Sequence, residues 1–313
     1  MKIIDIHVHD PYIFEVHKPS PEIVAEELLS KMDAIGIEKI FLYALEADPS
    51  KIYRELDRKE IYKGVEDAIN KGIYHIPKIV LEGIEKTKET RDRHINVLKA
   101  AYTPTERVVK ISKYSGNRIL PVGSIRLEDK SDYRARLHDI FRLGIYGLKL
   151  YPTVQFIEPS SRKLYKLYDE LERRDISLFI HTGCDPGLWE LPRFCRYADP
   201  INVRKIADKY PKLKIVLCHM GAYSALKPGI FVDKAIELVN SYDNVYGDLA
   251  ALDFDIIKYI VKRVKIDKIL FGSDYPVTGL EWYTHIRNIL NLDIPNHYKN
   301  MILYENAVEI FNL

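Results

Sequence analysis

Short apolar runs alternate along this chain with stretches whose apolar positions recur every three or four residues. The first kind reads as strands and the second as amphipathic helices. Eight strand-like runs stand out, at 2–9, 38–45, 118–124, 146–151, 177–182, 214–219, 244–249 and 267–273. A helical pattern follows each: 21–35, part of a longer region within 51–115, 131–143, 160–174, 200–210, 230–241, 253–265 and 281–291. Alternating β and α units imply a parallel sheet covered by helices. Eight of them predict an α/β fold, a single (β/α)8 TIM-type barrel, ahead of a doubly wound open sheet. A last helix near 297–311 is expected to close the barrel bottom or pack on its side. No internal repeat or low-complexity segment is visible.

One segment breaks the rhythm. Roughly seventy residues separate Glu46 from Asn117, far more than one βα connection needs. The chain is therefore expected to be one domain, 1–313, with a helical insertion after strand 2 at about 47–116. The insertion leaves the C-terminal end of the second strand, so Arg91, Arg93, His94 and Tyr102 are candidates to cover a site as a lid. The plainer reading is a stabilising or dimerising helical pair.

The first strand carries Asp5-Ile6-His7-Val8-His9. Side chains alternate across a strand, which puts Ile4, Ile6 and Val8 on the helix side and Asp5, His7 and His9 inside. Burying three polar groups is costly, and a cation among them offsets that cost. Three more strand ends carry the same kind of side chain: His181 after Leu178-Phe179-Ile180, His219 after Leu217-Cys218, and Asp274 after Gly272-Ser273. In a parallel barrel these ends meet on the rim where such barrels do chemistry. One strand ending in histidine is usually a satisfied core or surface residue. Agreement among four separate strands is hard to reach by chance. The set reads as a metal site, with His7, His9 and His181 as nitrogen ligands and Asp274 as a carboxylate ligand and proton acceptor. It suits Zn²⁺ first, then Fe²⁺, Co²⁺ or Mn²⁺, as one ion or two.

His219 either ligates a second ion or orients and protonates the reacting group. Lys149 ends Gly147-Leu148-Lys149 and has three readings. It is a carboxylated lysine bridging two ions, a cation for a substrate carboxylate, or a salt-bridged structural lysine. Asp5 is expected to accept a hydrogen bond from a ligand ring, and Asp248 is a weaker candidate for substrate contact. Trp189, with Asp185 and Arg193, is expected to shape the pocket. Cys218 and the remaining histidines (His17, His75, His138, His285 and His297) read as structural.

Composition narrows the class without choosing a reaction. The formal charge of +2 gives no electrostatic case for nucleic acid or a membrane surface. No apolar run is long enough to span a bilayer. The three cysteines, odd in number and widely spaced, argue against a disulfide framework and for a reducing cytosol. With no signal peptide in view, a cytoplasmic enzyme is expected. Abundant Lys, Glu and Ile with Gln155 as the lone glutamine suggest a thermophile. A homodimer is the base-rate expectation.

Taken together, Asp5-Ile-His7-Val-His9, Gly147-Leu-Lys149-Leu-Tyr-Pro152, Phe179-Ile-His181-Thr-Gly183, Val216-Leu-Cys-His219-Met-Gly221 and Leu270-Phe-Gly-Ser-Asp274-Tyr-Pro276 carry a family likeness. The chain resembles the amidohydrolase superfamily, in the amidohydrolase 2 branch that includes the aminocarboxymuconate-semialdehyde decarboxylase-like enzymes. The resemblance implies a distorted (β/α)8 barrel with a divalent metal at its rim. His7, His9, His181 and Asp274 match the family's metal positions. His219 matches a strand-6 histidine that acts in catalysis in one-metal members, and Lys149 stands where some members carry a carboxylated lysine. The leading expectation is a metal-dependent hydrolase of a small amide, lactone or ester. In it Asp274 takes the proton of the attacking water, and Asp274 or His219 protonates the leaving group. The alternative is a decarboxylase or hydratase, a lyase, acting on a small carboxylic acid at the same site. A ligand-binding barrel without catalysis is the non-enzymatic reading.

Overall fold

The computed structural model describes residues 2–47, 99–127, 133–184, 190, 192–224 and 227–313. Eight strands run in chain order: β1 Ile3–His9, β2 Ile37–Tyr43, β3 Ile119–Ser124, β4 Gly147–Leu150, β5 Ser177–Gly183, β6 Ile215–Tyr223, β7 Val245–Asp248 and β8 Ile269–Leu270. Each pairs in parallel with the next. The ring closes where Phe271 and Tyr275 carbonyls accept from the Ile6 and His9 N–H groups at 3.0 and 2.8 Å. The Asp274 N–H returns a bond of 2.8 Å to the His7 carbonyl. The fold is a TIM-type α/β barrel, and all eight predicted strands are present.

Helix α1, Pro21–Ile35, shows how the local code works. Ser20 caps its N-terminus by accepting from the Ile23 N–H, and Pro21 pre-sets the first turn. Val24, Ala25, Leu28 and Met32 recur at helical spacing and are buried against the barrel. Gly36 ends it at φ 80°, a left-handed position that glycine takes without strain. The other helices that cover the strands repeat this amphipathic pattern.

The lower interior is aromatic. Phe41 of β2 and Phe179 of β5 lie 5.9 Å apart between ring centroids. Phe311, at the end of the last helix (Asn306–Phe311), sits 4.9 and 5.8 Å from them. With Ala307 and Ile310 beside it, that helix closes the bottom, the first of its two expected placements. No helix among the described residues is long and apolar enough to cross a membrane.

Two expectations fail. Ile4 and Ile6 do not face the helices; they pack inside with Phe41, Tyr43 and Phe179, and Val8 alone lies on the helix side. The cause is a register shift. Asp5 pairs with Ile40 and Val8 with Leu42, so β1 spends one more residue than β2. A bulge of this kind breaks strict alternation and re-aims side chains. The second failure concerns cysteine: Cys184 and Cys195 are disulfide-bonded, with Cα atoms 5.4 Å apart, and only Cys218 is free. The odd count concealed one pair and one core thiol, so cysteine chemistry no longer argues for a reducing compartment. Most of the expected insertion, 48–98, lies outside the described residues.

Candidate metal centre

The bulge and the β8 end bring three ligand-type side chains together. The Asp274 Oδ1 lies 3.2 Å from His9 Nε2 and 3.4 Å from His7 Nε2. The three are buried, and their nearest ligand atoms all lie within 4.8 Å of one another. Close approach requires a glycine here: a Cβ on Gly272 would stand 2.8 Å from the His7 Cβ. Asp274 itself takes φ 63° and His219 φ 63°. Such strain in non-glycine residues costs about 1–3 kcal/mol each and marks functional ends of strands.

Hydrogen bonds from below fix two of the rings. Asp248 Oδ2 lies 2.9 Å from His7 Nδ1 and, as a carboxylate, can only accept. His7 Nδ1 therefore carries the proton, and Nε2 turns a lone pair on the site. The Ala250 carbonyl does the same for His219 Nδ1 at 3.0 Å. Asp248 Oδ1 also accepts the His219 and Ala250 N–H groups at 2.7 and 3.1 Å. Burial, helped by neighbouring positive charge, drives the His7 and His219 pKa values well below the usual imidazole range. Both rings are thus neutral and able to donate lone pairs. Burial pushes the Asp274 carboxyl up, but His7, His9 and His219 outweigh it and hold the group below the ordinary carboxylate range.

The opposite side of the rim is built from β4, β5 and β6. His181 stands 4.8 Å from His219 between ring centroids, and Tyr223 closes against both at 5.1 and 4.8 Å. Glu190, in the segment after β5, is buried and places Oε1 3.2 Å from His181 Nε2. Thr153 Oγ1 donates to that same Oε1. Lys149 is fully buried, with Nζ 3.5 Å from His7 Nε2 and over the rings of Tyr43 and Tyr151 at 4.7 and 5.3 Å.

These residues fit a cation. His181 Nε2 is a buried polar atom without a hydrogen-bond partner among the described residues, and across the rim His7, His9 and Asp274 already group their donors. A second grouping, His7, Cys218 and Asp248, fits a cation less well. There Asp248 is saturated by hydrogen bonds, and burial pushes the Cys218 thiol up so that it keeps its proton. A cavity of about 620 Å³, including its open mouth, lies over the site. Ile13, Phe14, Leu45, Ala101, Val154 and Val277 give it apolar walls.

Of the sequence candidates, His7, His9, His181, His219 and Asp274 all line this cavity. Lys149 lies beneath it. Lys149 is in no ion pair among the described residues and lies over two aromatic rings. Asp5 does not reach a ligand ring. It accepts from the His7 and Ser273 N–H groups at 3.0 and 3.1 Å and from Trp282 Nε1 at 2.7 Å, because the bulge turns it towards the helix layer. Asp248, expected at the substrate, orients His7 instead. Tyr102 is half-buried away from the cavity lining, beside Glu46 and Arg136. Arg91, Arg93, His94, Asp185 and Trp189 lie outside the described residues, as does the Arg193 side chain. Sequence reasoning missed Glu190, Thr153 and Tyr223. Only Tyr223, at the end of a strand already tied to the site, carried a positional signal.

The family model described as Amidohydrolase matches residues 87–313, most of the chain. The chain belongs to the amidohydrolase family. This amidohydrolase is also similar in fold to solved structures that span its full length. One is an uncharacterized TIM-barrel protein from Bordetella bronchiseptica, with TM-score 0.66, 19% identity, and coverage of 100% of this chain and 99% of that one. Another is 5-carboxyvanillate decarboxylase from Sphingomonas paucimobilis, with TM-score 0.60, 14% identity, and coverage of 100% and 99%. A third is a probable 2-pyrone-4,6-dicarboxylic acid hydrolase from Acinetobacter baumannii, with TM-score 0.62, 13% identity, and coverage of 100% of both chains. At these identities the likeness is one of fold.

Proposed function

We propose that this amidohydrolase is a metal-dependent hydrolase that attacks the carbonyl carbon of a small amide, lactone or ester. The observation that carries the reading is Asp274, whose Oδ1 lies between the His7 and His9 ring nitrogens at 3.4 and 3.2 Å at the floor of the cavity. His7, His9 and Asp274 hold a divalent ion, Zn²⁺ first, and His181 completes the set from across the rim. The ion, when bound, supplies Lewis acidity and brings the pKa of a water towards about 7. Asp274, held ionised, accepts the proton of the attacking water and returns it to the leaving group. His219, pinned through Nδ1–H, leaves Nε2 as a proton acceptor facing the cavity, able to take a proton from the attacking water beside Asp274. The apolar walls exclude bulk water and favour a substrate with a compact apolar body.

A second reading, decarboxylation or hydration of a small carboxylic acid, is favoured by one observation. The Lys149 ammonium lies against two aromatic faces, a geometry that suits a cation and disfavours a carbamate anion.

The test is an ester, lactone, amide and aromatic acid panel run with and without chelator. Asp274→Asn is expected to lose about 10²–10⁴-fold in kcat. Full activity of that variant, or turnover indifferent to chelator, contradicts the proposal. Release of CO₂ from a carboxylic acid, or addition of water to its carbon–carbon double bond with no bond cleaved, selects the second reading.

A further inference from the structure

Glu190 takes no part in the hydrolytic scheme, yet it is a carboxylate buried in the cavity wall. Its Oε1 is within ion-pairing distance of His181 Nε2, at 3.2 Å, but that nitrogen makes no hydrogen bond. A ring nitrogen and a carboxylate oxygen that approach without aiming at each other are arranged like two ligands of one ion. With metal–ligand bonds of about 2.0–2.2 Å, neighbouring ligand atoms fall roughly 3 Å apart. His9 and Asp274 keep the same spacing on the other side, at 3.2 Å.

The surroundings hold the carboxylate in place. Thr153 Oγ1 donates to Oε1, and Thr153 is itself buried. The Cys184–Cys195 disulfide ties the two ends of the segment that carries Glu190, across a sequence separation of 11. A buried charge is expensive unless paired, hydrogen-bonded or bound to a metal.

We propose that Glu190 is a metal ligand, supplied by the disulfide-closed segment after β5, and that it shares its ion with His181, with Thr153 as its positioning residue. The proposal rests on the metal-dependent reading of the site, and the experiment separates the two.

Zn²⁺ affinity is measured by chelator competition on wild type, Glu190→Gln and Thr153→Val, and the visible spectrum of each Co²⁺-loaded protein is recorded. Glu190→Gln keeps the shape and removes the charge; it should bind at least about tenfold more weakly and show a changed Co²⁺ absorption band. Thr153→Val should give a smaller loss in the same direction. The melting temperature of each apo-protein shows that the variants fold. If Glu190→Gln does not fold, Thr153→Val decides by the same two readouts. Wild type that takes up no metal overturns the metal-dependent reading itself. Wild-type binding with unchanged affinity and spectrum in the folded variants overturns the role of Glu190 alone.

Discussion

Beneath His7, the Asp248 carboxylate of β7 fixes the ring before any ligand arrives, whereas His181 ends in a buried nitrogen with no hydrogen-bond partner among the described residues. On the β1–β8 side, Asp248 sets the His7 tautomer, Gly272 makes room for it, and Asp5 ties the β1 backbone to β8 and Trp282. On the β5 side, the partners come from a segment held by a disulfide and a threonine hydroxyl. One half is built on sheet strands, where Asp248 already holds the His7 ring. The other is finished by Glu190, from the chain between Cys184 and Cys195, and by the ion that it is proposed to share with His181. Such a division lets the barrel fix the metal position while loop sequences vary the chemistry above it.

The contrast between the two sides is most exposed at Asp248. Asp248→Asn leaves the shape but can present an amide N–H to His7 Nδ1 and disturb the tautomer. Metal affinity is expected to fall about 10–100-fold, with kcat falling alongside, as read by chelator competition and steady-state kinetics. Unchanged affinity would mean that Asp248 does not prearrange the β1 side.

A smaller effect is expected on stability. Trp282→Phe removes the indole donor that reaches Asp5 at 2.7 Å. It should cost about 1–2 kcal/mol in denaturant unfolding, while leaving the loop-held Glu190 side untouched. A loss confined to metal affinity would instead place Trp282 in the site.

The most subtle effect is one of pH. Burial holds the Asp5 carboxyl at about 7 in the folded protein, against a reference of 3.8. The folded state binds this proton more tightly than the unfolded chain. The resulting stabilisation is complete below the unfolded value and is lost as pH rises through about 7. Asp5→Asn should therefore flatten the fall in melting temperature between about pH 4 and pH 8. An identical pH profile in the variant would show that Asp5 does not titrate in that window.

The same contrast explains what could be read from sequence. The strands were legible because their apolar runs are short and separated by amphipathic helices; α1 was legible to its end residues through Ser20, Pro21 and Gly36. His7, His9, His181, His219 and Asp274 were legible because strand ends in a parallel barrel must converge. Simple alternation does not explain the inward turn of His7, since a bulge is set by pairing between strands and not by the order of residues within one. Asp248 was misassigned because its partner is 241 residues away in sequence. Glu190 and the Cys184–Cys195 pair were missed because the sequence between strand 5 and the next helical pattern carries no periodicity to say where a side chain points.

The functional reading stands on a single metal position shared by the β1, β5 and β8 ends. Anomalous diffraction at the zinc edge from Zn²⁺-loaded crystals tests it directly. The expected peak is bonded to His7 Nε2, His9 Nε2 and Asp274, with His181 drawn onto it. Density lying elsewhere, or no peak on a loaded and active protein, would contradict it.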